Sequence, residues 1–410
     1  MPQASLLDQH GSELFGPHNL PYGVFGTPGD PARRIGVRVG DVVLDAAAAA
    51  RAVGDEAVAA LLDHPVLNPL MAAGRPAWER VRAAVGRWLT APELYDAVAP
   101  LVRPLDSVEL HLPFEVADYV DFYASEHHAT TVGRLFRPDG DALTPNWKHL
   151  PIGYHGRAGS VVVSGTDVVR PAGQRKGVDD PSPVFGPCAR LDFEAEVGFV
   201  VGAGSPAGVP VSQQAFPEHV FGVCLVNDWS ARDIQAWEYV PLGPFLAKSF
   251  ATSVSPWVVP LPALEAARVA PPERDTPLLP YLDDAALPAW GLDLRLEVRL
   301  NGHSLSRPPF SAMYWTAAQQ LAHLTVNGAA LRTGDLFASG TVSGPGAHER
   351  GCLLEMTANG RDPLSLPDGS ARGFLQDGDV VTVTAWAPGP DGTRVGFGEV
   401  TGRVLPARVP

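Results

Sequence analysis

Two carboxylates separated by one residue mark the stretch of sequence with the clearest chemical potential. Residues 191–200 read LDFEAEVGFV, and their alternation places Asp192, Glu194 and Glu196 on one face of a predicted strand. Two residues along a strand span roughly 6.6 Å, so the two glutamates would repel each other, more strongly if buried. The ordinary explanation for such a short motif is a solvated face. The alternative is a site for a hard, oxygen-binding cation such as Ca²⁺ or Mg²⁺.

Polar residues further along the chain favour the metal site. Residues 220–226 form an apolar run typical of a buried strand, and Asp228 follows at its end. Arg232 and Gln235 then add a guanidinium and an amide within the same short stretch. Because another carboxylate and a cation follow a buried strand directly, the metal site becomes the favoured interpretation.

Histidine, tyrosine and acidic side chains are concentrated in residues 118–130 and 145–157, which have no clear helical or strand period. The first of these segments contains two adjacent histidines, His127 and His128. Polar loops of this composition more often have a function than serve as spacers.

A lysine and a glutamate stand alone in apolar surroundings. Lys248 lies in a proline-bent segment, where the ordinary explanation is a lysine that extends to solvent and the alternative is a catalytic cation. Glu355 lies within residues 353–356, which we expect to form an apolar strand. It is therefore a candidate buried acid.

Composition excludes some classes of function. The chain has 410 residues, enough for a large core and two domains, with a net charge of -14. That charge argues against nucleic acid or an anionic membrane as a partner, because either would require a basic patch. No apolar run approaches the ~20 residues of a membrane span, and the first residues lack the features of a signal peptide. We therefore expect a cytoplasmic protein.

The elements before residue 115 predict a small β-rich unit with helices attached. Short strands joined by glycines are expected over residues 22–45, and helices over residues 46–63 and 76–89. Residues 101–113 look like an extended linker with prolines near both ends. A boundary near residue 115 follows, with residues 1–115 as a structural domain.

The elements that would hold the chemical residues are mostly strands of a second, catalytic domain, residues 116–410. Residues 292–300 alternate strictly, and Asn301 with Gly302 is a strong hairpin signal. Turn signals recur at short intervals. The pattern predicts a β-rich sandwich or roll.

These stretches together resemble the fumarylacetoacetase family. The resemblance rests on residues 121–123, 128–130, 145–147, 153–157, 194 with 196, 227–235, 237–245, 248–250 and 338–341. It covers the second domain almost completely and extends more loosely through the first. The block from 227 to 245 is highly specific, whereas the pair of glutamates is shared with a wider superfamily.

The resemblance implies a fold, an assembly and a reaction. The fold is a β-rich, mixed α+β one, in which an N-terminal SH3-like β-barrel precedes a C-terminal β-sandwich roll, and the assembly is a homodimer. The reaction is hydrolysis of the carbon–carbon bond of a small dioxo acid, 4-fumarylacetoacetate, to fumarate and acetoacetate. It is the last step of tyrosine and phenylalanine degradation.

The resemblance also implies roles for individual residues. The cation ligands, for Ca²⁺, Mg²⁺ or both, are Asp121, Glu194, Glu196 and Asp228, and a second cation lies near Asp228, Lys248 and Thr252. The general base is His128, oriented by Glu355, with His127 as the less favoured candidate. Oxyanion and carbanion are stabilised by Arg232, Gln235 and Lys248. The substrate contacts are Tyr123, Arg137, Tyr154, Tyr239 and Thr341.

The second cation site is the point at which this sequence departs from the family pattern. Ala247 and Ala251 stand where glycine is usual. A carbonyl ligand survives that change unless the glycine needs a positive φ.

Two other functions compete with this interpretation. A hydratase or decarboxylase of 2-oxo acids in the same superfamily uses the same acidic site, but such relatives are usually shorter and lack the first domain. A non-catalytic, metal-stabilised β module would not need His128, Arg232 and Lys248 together.

Overall fold

The computed structural model describes residues 5–177 and 179–408, which form a mixed α+β, sheet-rich protein. The strands before residue 115 are β1 (Tyr22–Thr27), β2 (Asp30–Val39), β3 (Val42–Asp45), β4 (Val102–Pro104) and β5 (Glu109–His111). The helices of the same part are α1 (Leu6–His10), α2 (Ala46–Ala52), α3 (Glu56–Leu62), α4 (Asn68–Ala72), α5 (Arg75–Thr90) and α6 (Tyr95–Val98).

The rest of the chain consists mainly of strands. They are β6 (Asp118–Phe122), β7 (Gly153–His155), β8 (Val161–Val163), β9 (Val168–Val169), β10 (Ala172–Arg175), β11 (Val184–Pro187), β12 (Leu191–Asp192), β13 (Ala195–Val201), β14 (Val220–Asp228), β15 (Ser230–Ala231), β16 (Thr252–Val254), β17 (Trp257–Pro260), β18 (Arg268–Val269), β19 (Gly291–Leu292), β20 (Arg295–Leu300), β21 (His303–Ser306), β22 (Asp335–Ala338), β23 (Leu364–Ser365), β24 (Ala371–Arg372), β25 (Val380–Pro388) and β26 (Arg394–Leu405). The helices between them are α7 (Glu126–Phe136), α8 (Phe216–His219), α9 (Arg232–Glu238), α10 (Ala317–Thr325) and α11 (Leu353–Met356).

One large sheet runs through both parts of the chain. Its strands follow the order β4-β3-β2-β1-β17-β14-β13-β22-β6-β7, with β5 beside β1 and β16 joining β14 to β8. Tyr22 of β1 pairs with Val258 of β17, so the strands on either side of residue 115 are neighbours in the sheet. Within the described residues this path is open, and the predicted SH3-like barrel is not confirmed.

The centre of this sheet is buried on both faces. β13 lies antiparallel between β14 and β22, and β22 runs parallel to β6. Phe199 packs into one hydrophobic cluster and the adjacent Val200 into another. The alternative of a solvated face for residues 191–200 is therefore excluded, which leaves the favoured metal site. The predicted continuous strand is wrong, because it is interrupted at Phe193 and Glu194 between β12 and β13.

Four other predicted elements differ from the structure. Residues 118–130, expected to be a polar loop, contain β6 and the first turn of α7. The single helix over residues 46–63 is divided, because Gly54 adopts a φ of +77° and Asp55 caps α3 by accepting from the Val58 amide. The linker over residues 101–113 instead contributes β4 and β5, which pair with β3 and β1. The strand predicted around Glu355 is the one-turn helix α11.

Local signals predicted other elements correctly. The helix expected over residues 76–89 is α5. Asn301 and Gly302, with φ of 52° and 80°, connect β20 to β21 as the hairpin signal indicated. Among the described helices, none has both the length and the hydropathy that a membrane span requires.

Candidate active site

Four carboxylates meet where the central strands end. Asp121 is in β6 opposite Ala338 of β22, Asp228 is the last residue of β14, Glu196 is in β13, and Glu194 lies in the break before it. One oxygen from each carboxylate lies within 4.8 Å of the others, and all four residues are buried. We call these four residues the acidic cluster.

The oxygens of the acidic cluster are incompletely satisfied by the protein. Both oxygens of Glu196 and Oδ1 of Asp121 are buried without a hydrogen-bond partner in the described residues. A buried carboxylate without a partner is costly unless an opposite charge is supplied. An all-oxygen donor set is also the set that hard divalent cations prefer. The residues present therefore fit a divalent cation.

Burial and mutual repulsion shift the pKa values within the acidic cluster in different directions. Burial, followed by the neighbouring carboxylates, raises the pKa of Glu196 well above its ordinary value. Burial and Asp228 do the same for the pKa of Asp121. Burial also opposes ionisation of Glu194, but Lys248 and Arg232 outweigh it and hold its pKa below the ordinary value.

Two buried cations contact the acidic cluster. The Lys248 ammonium donates to Glu194 and, at 2.5 Å, to Oδ2 of Asp228. Arg232 Nη2 lies 2.8 Å from Oε1 of Glu194, and Arg232 Nη1 donates to Oε1 of Gln235 at 3.2 Å. Lys248 is only 6% exposed, so the alternative of a lysine extending to solvent is wrong.

The segment around Lys248 tolerates the two alanines found there. Ala247 and Ala251 are buried, and neither is among the described non-glycine residues with positive φ. Glycine is therefore not required for the backbone conformation at these positions. Thr252 Oγ1 donates to Oδ1 of Asp228 at 3.1 Å, which places it beside the acidic cluster.

A histidine and a glutamate form a buried pair next to the acidic cluster. Nδ1 of His128 lies 2.7 Å from Oε2 of Glu355. His128 is in the first turn of α7, where Ser125 caps the helix by accepting from the His128 amide at 3.2 Å. Burial opposes ionisation of Glu355, but His128 outweighs it, so the pKa of Glu355 is lowered. With Nδ1 engaged, Nε2 is the ring nitrogen left for chemistry.

Sequence reasoning missed the residues that hold Glu355 in place. Ser343 Oγ donates to Oε2 of Glu355 at 2.7 Å, and Cys352 Sγ does so at 3.3 Å. Burial, with Glu355 next, raises the pKa of the Cys352 thiol well above its ordinary value, so it remains a donor. No sequence spacing indicates these contacts. Ser125, by contrast, carries a recognisable signal, because serine directly before a helix predicts a cap.

The predicted substrate contacts fall into two groups. Thr341 is buried with its hydroxyl unpartnered in the described residues, Tyr154 OH lies 3.4 Å from Oδ2 of Asp228, and the Tyr123 ring packs edge-on against His128 at 5.4 Å. Arg137 instead donates to the carbonyl of Ala142, and Tyr239 is 42% exposed. In the described residues no hydrogen bond joins the side chains of these last two to the acidic cluster.

A cavity opens beside the acidic cluster and provides room for a small molecule. Its volume is about 210 Å³, and Tyr154, Asp228 and Lys248 are among the residues that line it. Arg157 and Phe245 are among the other residues of its wall. A small acid in this cavity would therefore lie beside Lys248 and Asp228.

Comparison with known proteins agrees with this arrangement. The family model described as fumarylacetoacetate (FAA) hydrolase, C-terminal, matches residues 118–405, and the model described as fumarylacetoacetase, N-terminal, matches residues 18–113. The chain is 48% identical to the fumarylacetoacetase of Bos taurus over 95% of this chain and 96% of the relative. It is 47% identical to that of Homo sapiens, with 96% of each chain covered.

Solved structures share the fold at much lower sequence identity. A fumarylacetoacetate hydrolase from psychrophilic Exiguobacterium antarcticum superposes with a TM-score of 0.56 at 18% identity, covering 95% of this chain and all of the other. A 2-hydroxyhepta-2,4-diene-1,7-dioate isomerase from Mycobacterium marinum gives 0.52 at 16% identity, over 94% and 98%. At such identities the likeness concerns the fold.

Proposed function

The chain belongs to the fumarylacetoacetase family, and on this premise we propose that it hydrolyses 4-fumarylacetoacetate to fumarate and acetoacetate. The observation that carries the proposal is the buried pair of His128 and Glu355 beside the acidic cluster, with Lys248 and Arg232 in contact with that cluster. The place in metabolism that follows is the last step of tyrosine and phenylalanine degradation.

His128 moves the proton in this scheme. Glu355 fixes Nδ1–H, so Nε2 can take a proton from water while the water oxygen adds to the ketone carbonyl carbon. The carbon–carbon bond then breaks, and its electron pair passes to the departing acetoacetate as an enolate. The imidazolium returns its proton to that enolate carbon, which restores neutral histidine and completes the addition of one water molecule.

Fixed positive charge stabilises the negative charge that develops. Glu194 contacts both Lys248 and Arg232 and holds them in place. Gln235 accepts a hydrogen bond from Arg232 and orients its guanidinium. A divalent cation, Ca²⁺ or Mg²⁺, bound by Asp121, Glu194, Glu196 and Asp228 would supply Lewis acidity toward the dioxo group. We assign a second cation site near Asp228, Lys248 and Thr252, where Lys248 would offer its backbone carbonyl and not its ammonium.

We assign substrate binding to Tyr123, Arg137, Tyr154, Tyr239 and Thr341. The contact of Tyr154 with Asp228, the packing of Tyr123 on His128 and the buried, unpartnered hydroxyl of Thr341 support this assignment. For Arg137 and Tyr239 it stays a prediction that rests on the family pattern.

We further propose a homodimer that buries an exposed apolar surface. This surface, the 237–246 patch, comprises Trp237, Tyr239, Val240, Leu242, Phe245 and Leu246, with Val184 and Phe185 of β11 also exposed. Leu242 is 94% exposed and Phe245 65%, and contiguous apolar side chains on a surface mark an interaction site. A second copy of the chain is the proposed occupant.

The remaining assignments follow the family pattern. Residues 1–115 act as a structural domain with SH3-like strands, residues 116–410 as the catalytic domain with a sandwich-roll topology, and the protein is cytoplasmic. The two family matches, to residues 18–113 and 118–405, support that division.

Product analysis tests the proposed reaction. Incubation with fumarylacetoacetate, followed by NMR, should give fumarate and acetoacetate in equal amounts. Carbon dioxide, a hydrated dioxo acid or unchanged substrate would instead point to a superfamily decarboxylase, a hydratase or a non-catalytic protein.

A further inference from the structure

Asp192 is a buried carboxylate that takes no part in the proposed proton transfer or metal binding. It is fully buried, and its oxygens accept four hydrogen bonds. The donors are the Phe193 amide at 2.9 Å, the Leu353 amide at 2.8 Å, the Leu354 amide at 2.9 Å and Arg232 Nε at 3.0 Å. Unlike Glu196, it has no free oxygen with which to hold a cation.

These contacts connect two separate parts of the proposed machinery. Arg232 faces the acidic cluster through Glu194. The Leu353 and Leu354 amides begin the one-turn helix α11, whose next residue is Glu355, the partner of His128. A single carboxylate therefore holds both the guanidinium and the turn that carries the histidine's partner.

We propose that Asp192 is a positioning residue that fixes Arg232 and the Glu355 turn relative to each other. This inference rests on the proposed function, since both groups take part in it. One hydrogen-bonded turn is unstable alone, so the orientation of this turn depends on tertiary contacts such as those with Asp192. The Asp192 carboxylate accepts from the successive amides of Leu353 and Leu354 and from Arg232 Nε, and these contacts fix the direction of the turn.

Asp192→Asn is the direct test, because asparagine keeps the shape but replaces an acceptor oxygen with a donor group. The new amide would face N–H donors, so at least one contact is lost. We expect kcat to fall by about 10–100-fold, the usual effect of removing a group that orients a ligand or catalytic side chain. KM should change little, because Arg232 acts on charge that develops in the transition state.

Asp379→Asn is a matched control. Asp379 is also buried and accepts from Arg372 Nε at 2.9 Å, from the Gln376 amide at 2.8 Å and from Asn301 at 2.9 Å, away from the acidic cluster. The Asp379→Asn variant should lower the melting temperature, as Asp192→Asn should, yet leave kcat within about twofold of wild type. Equal kcat losses in both variants, or none in Asp192→Asn, would overturn the proposal.

A second measurement decides the question where Asp192→Asn does not fold. Arg232→Lys removes Nε from Asp192, so hydrogen exchange should become faster in a peptide covering residues 352–357. Exchange in residues 376–381, around Asp379, should not change. Unchanged exchange in residues 352–357 would show that Arg232 and the turn are not coupled. Wild-type turnover is measured first, and its absence would contradict the proposed function. It would not contradict the positioning role of Asp192, because the exchange experiment tests that role without measuring activity.

Discussion

The proposed proton transfer depends on one ring nitrogen of one histidine. Glu355 contacts Nδ1 of His128 at 2.7 Å, and the adjacent His127 has no such carboxylate partner in the described residues. His128→Ala should lower kcat by roughly 10²–10⁴-fold, as expected for loss of a positioned proton-transfer group. Steady-state kinetics with fumarylacetoacetate measures this. His127→Ala is the control and should have far less effect; the reverse order would assign the base to His127.

The unpartnered carboxylate of Glu196 predicts a pH-dependent stability in metal-free protein. Its pKa is raised in the folded state, by burial and then by Asp121, Glu194 and Asp228. Folded protein therefore holds this proton more tightly than the unfolded chain. Stability is greatest below the unfolded-state pKa and declines as pH rises through the raised folded-state pKa.

Glu196→Gln separates that repulsion from a structural role. In metal-free protein the variant should melt at or above wild type at neutral pH, because glutamine keeps the shape without the charge. Added Ca²⁺ should stabilise wild type more than the variant. Thermal melts of both proteins, with and without Ca²⁺, provide the comparison. A metal-free variant that melts well below wild type would mean that Glu196 is bonded into the fold.

Residue types identified much of the candidate site but not its internal support. The carboxylates of the acidic cluster, the basic side chains that contact it and His128 lie in stretches whose composition indicates a functional site. Asp192 was recognised only as one member of an alternating face, although its partners are the amides of Leu353 and Leu354. Contacts between residues so far apart along the chain depend on tertiary structure, so local patterns cannot show them.

At the scale of elements, the N-terminus of α7 holds the base. Ser125 accepts from the His128 amide at 3.2 Å and donates to the Ser343 carbonyl at 3.0 Å. The hydroxyl of the same Ser343 donates to Glu355. Ser125→Ala should cost about 1 kcal/mol of unfolding free energy, the usual value of a cap, and should also lower kcat.

Thr316→Ala is the matched control for this cap. Thr316 is buried and caps α10 by accepting from the Gln319 amide. Thr316→Ala should lower the free energy of unfolding by about as much as Ser125→Ala does, while leaving kcat unchanged. Denaturant unfolding and kinetics on both variants check the prediction, which fails if kcat is lost equally in both or in neither.

Elements with strong local signals were predictable, and those fixed by distant partners were not. The Asn301–Gly302 turn needs positive φ at both positions, and the sequence there favours it. β5 is only three residues long and exists because it pairs with β1, so residues 101–113 looked like a linker. The helix α11 is held by Asp192, and its apolar composition alone resembled a strand.

At the scale of the whole molecule, the 237–246 patch predicts the assembly. Leu242→Glu places a charge at the most exposed apolar position of that patch and should convert the dimer to monomer. Leu279→Glu, at a leucine that is 61% exposed outside the patch, should leave the dimer intact. Light scattering coupled to size exclusion measures both. A wild-type monomer, or a Leu242→Glu dimer, would contradict the proposed interface.

The proposed hydrolysis of fumarylacetoacetate requires a divalent cation in the acidic cluster. The most direct test measures turnover after exhaustive chelation, with metal content confirmed by elemental analysis, and again after Ca²⁺, Mg²⁺ or Mn²⁺ is added. Turnover should be abolished in metal-free protein and restored by at least one of these hard cations, because every donor in the acidic cluster is a carboxylate oxygen. Full activity in protein shown to be free of metal would contradict a role for the cation in the reaction.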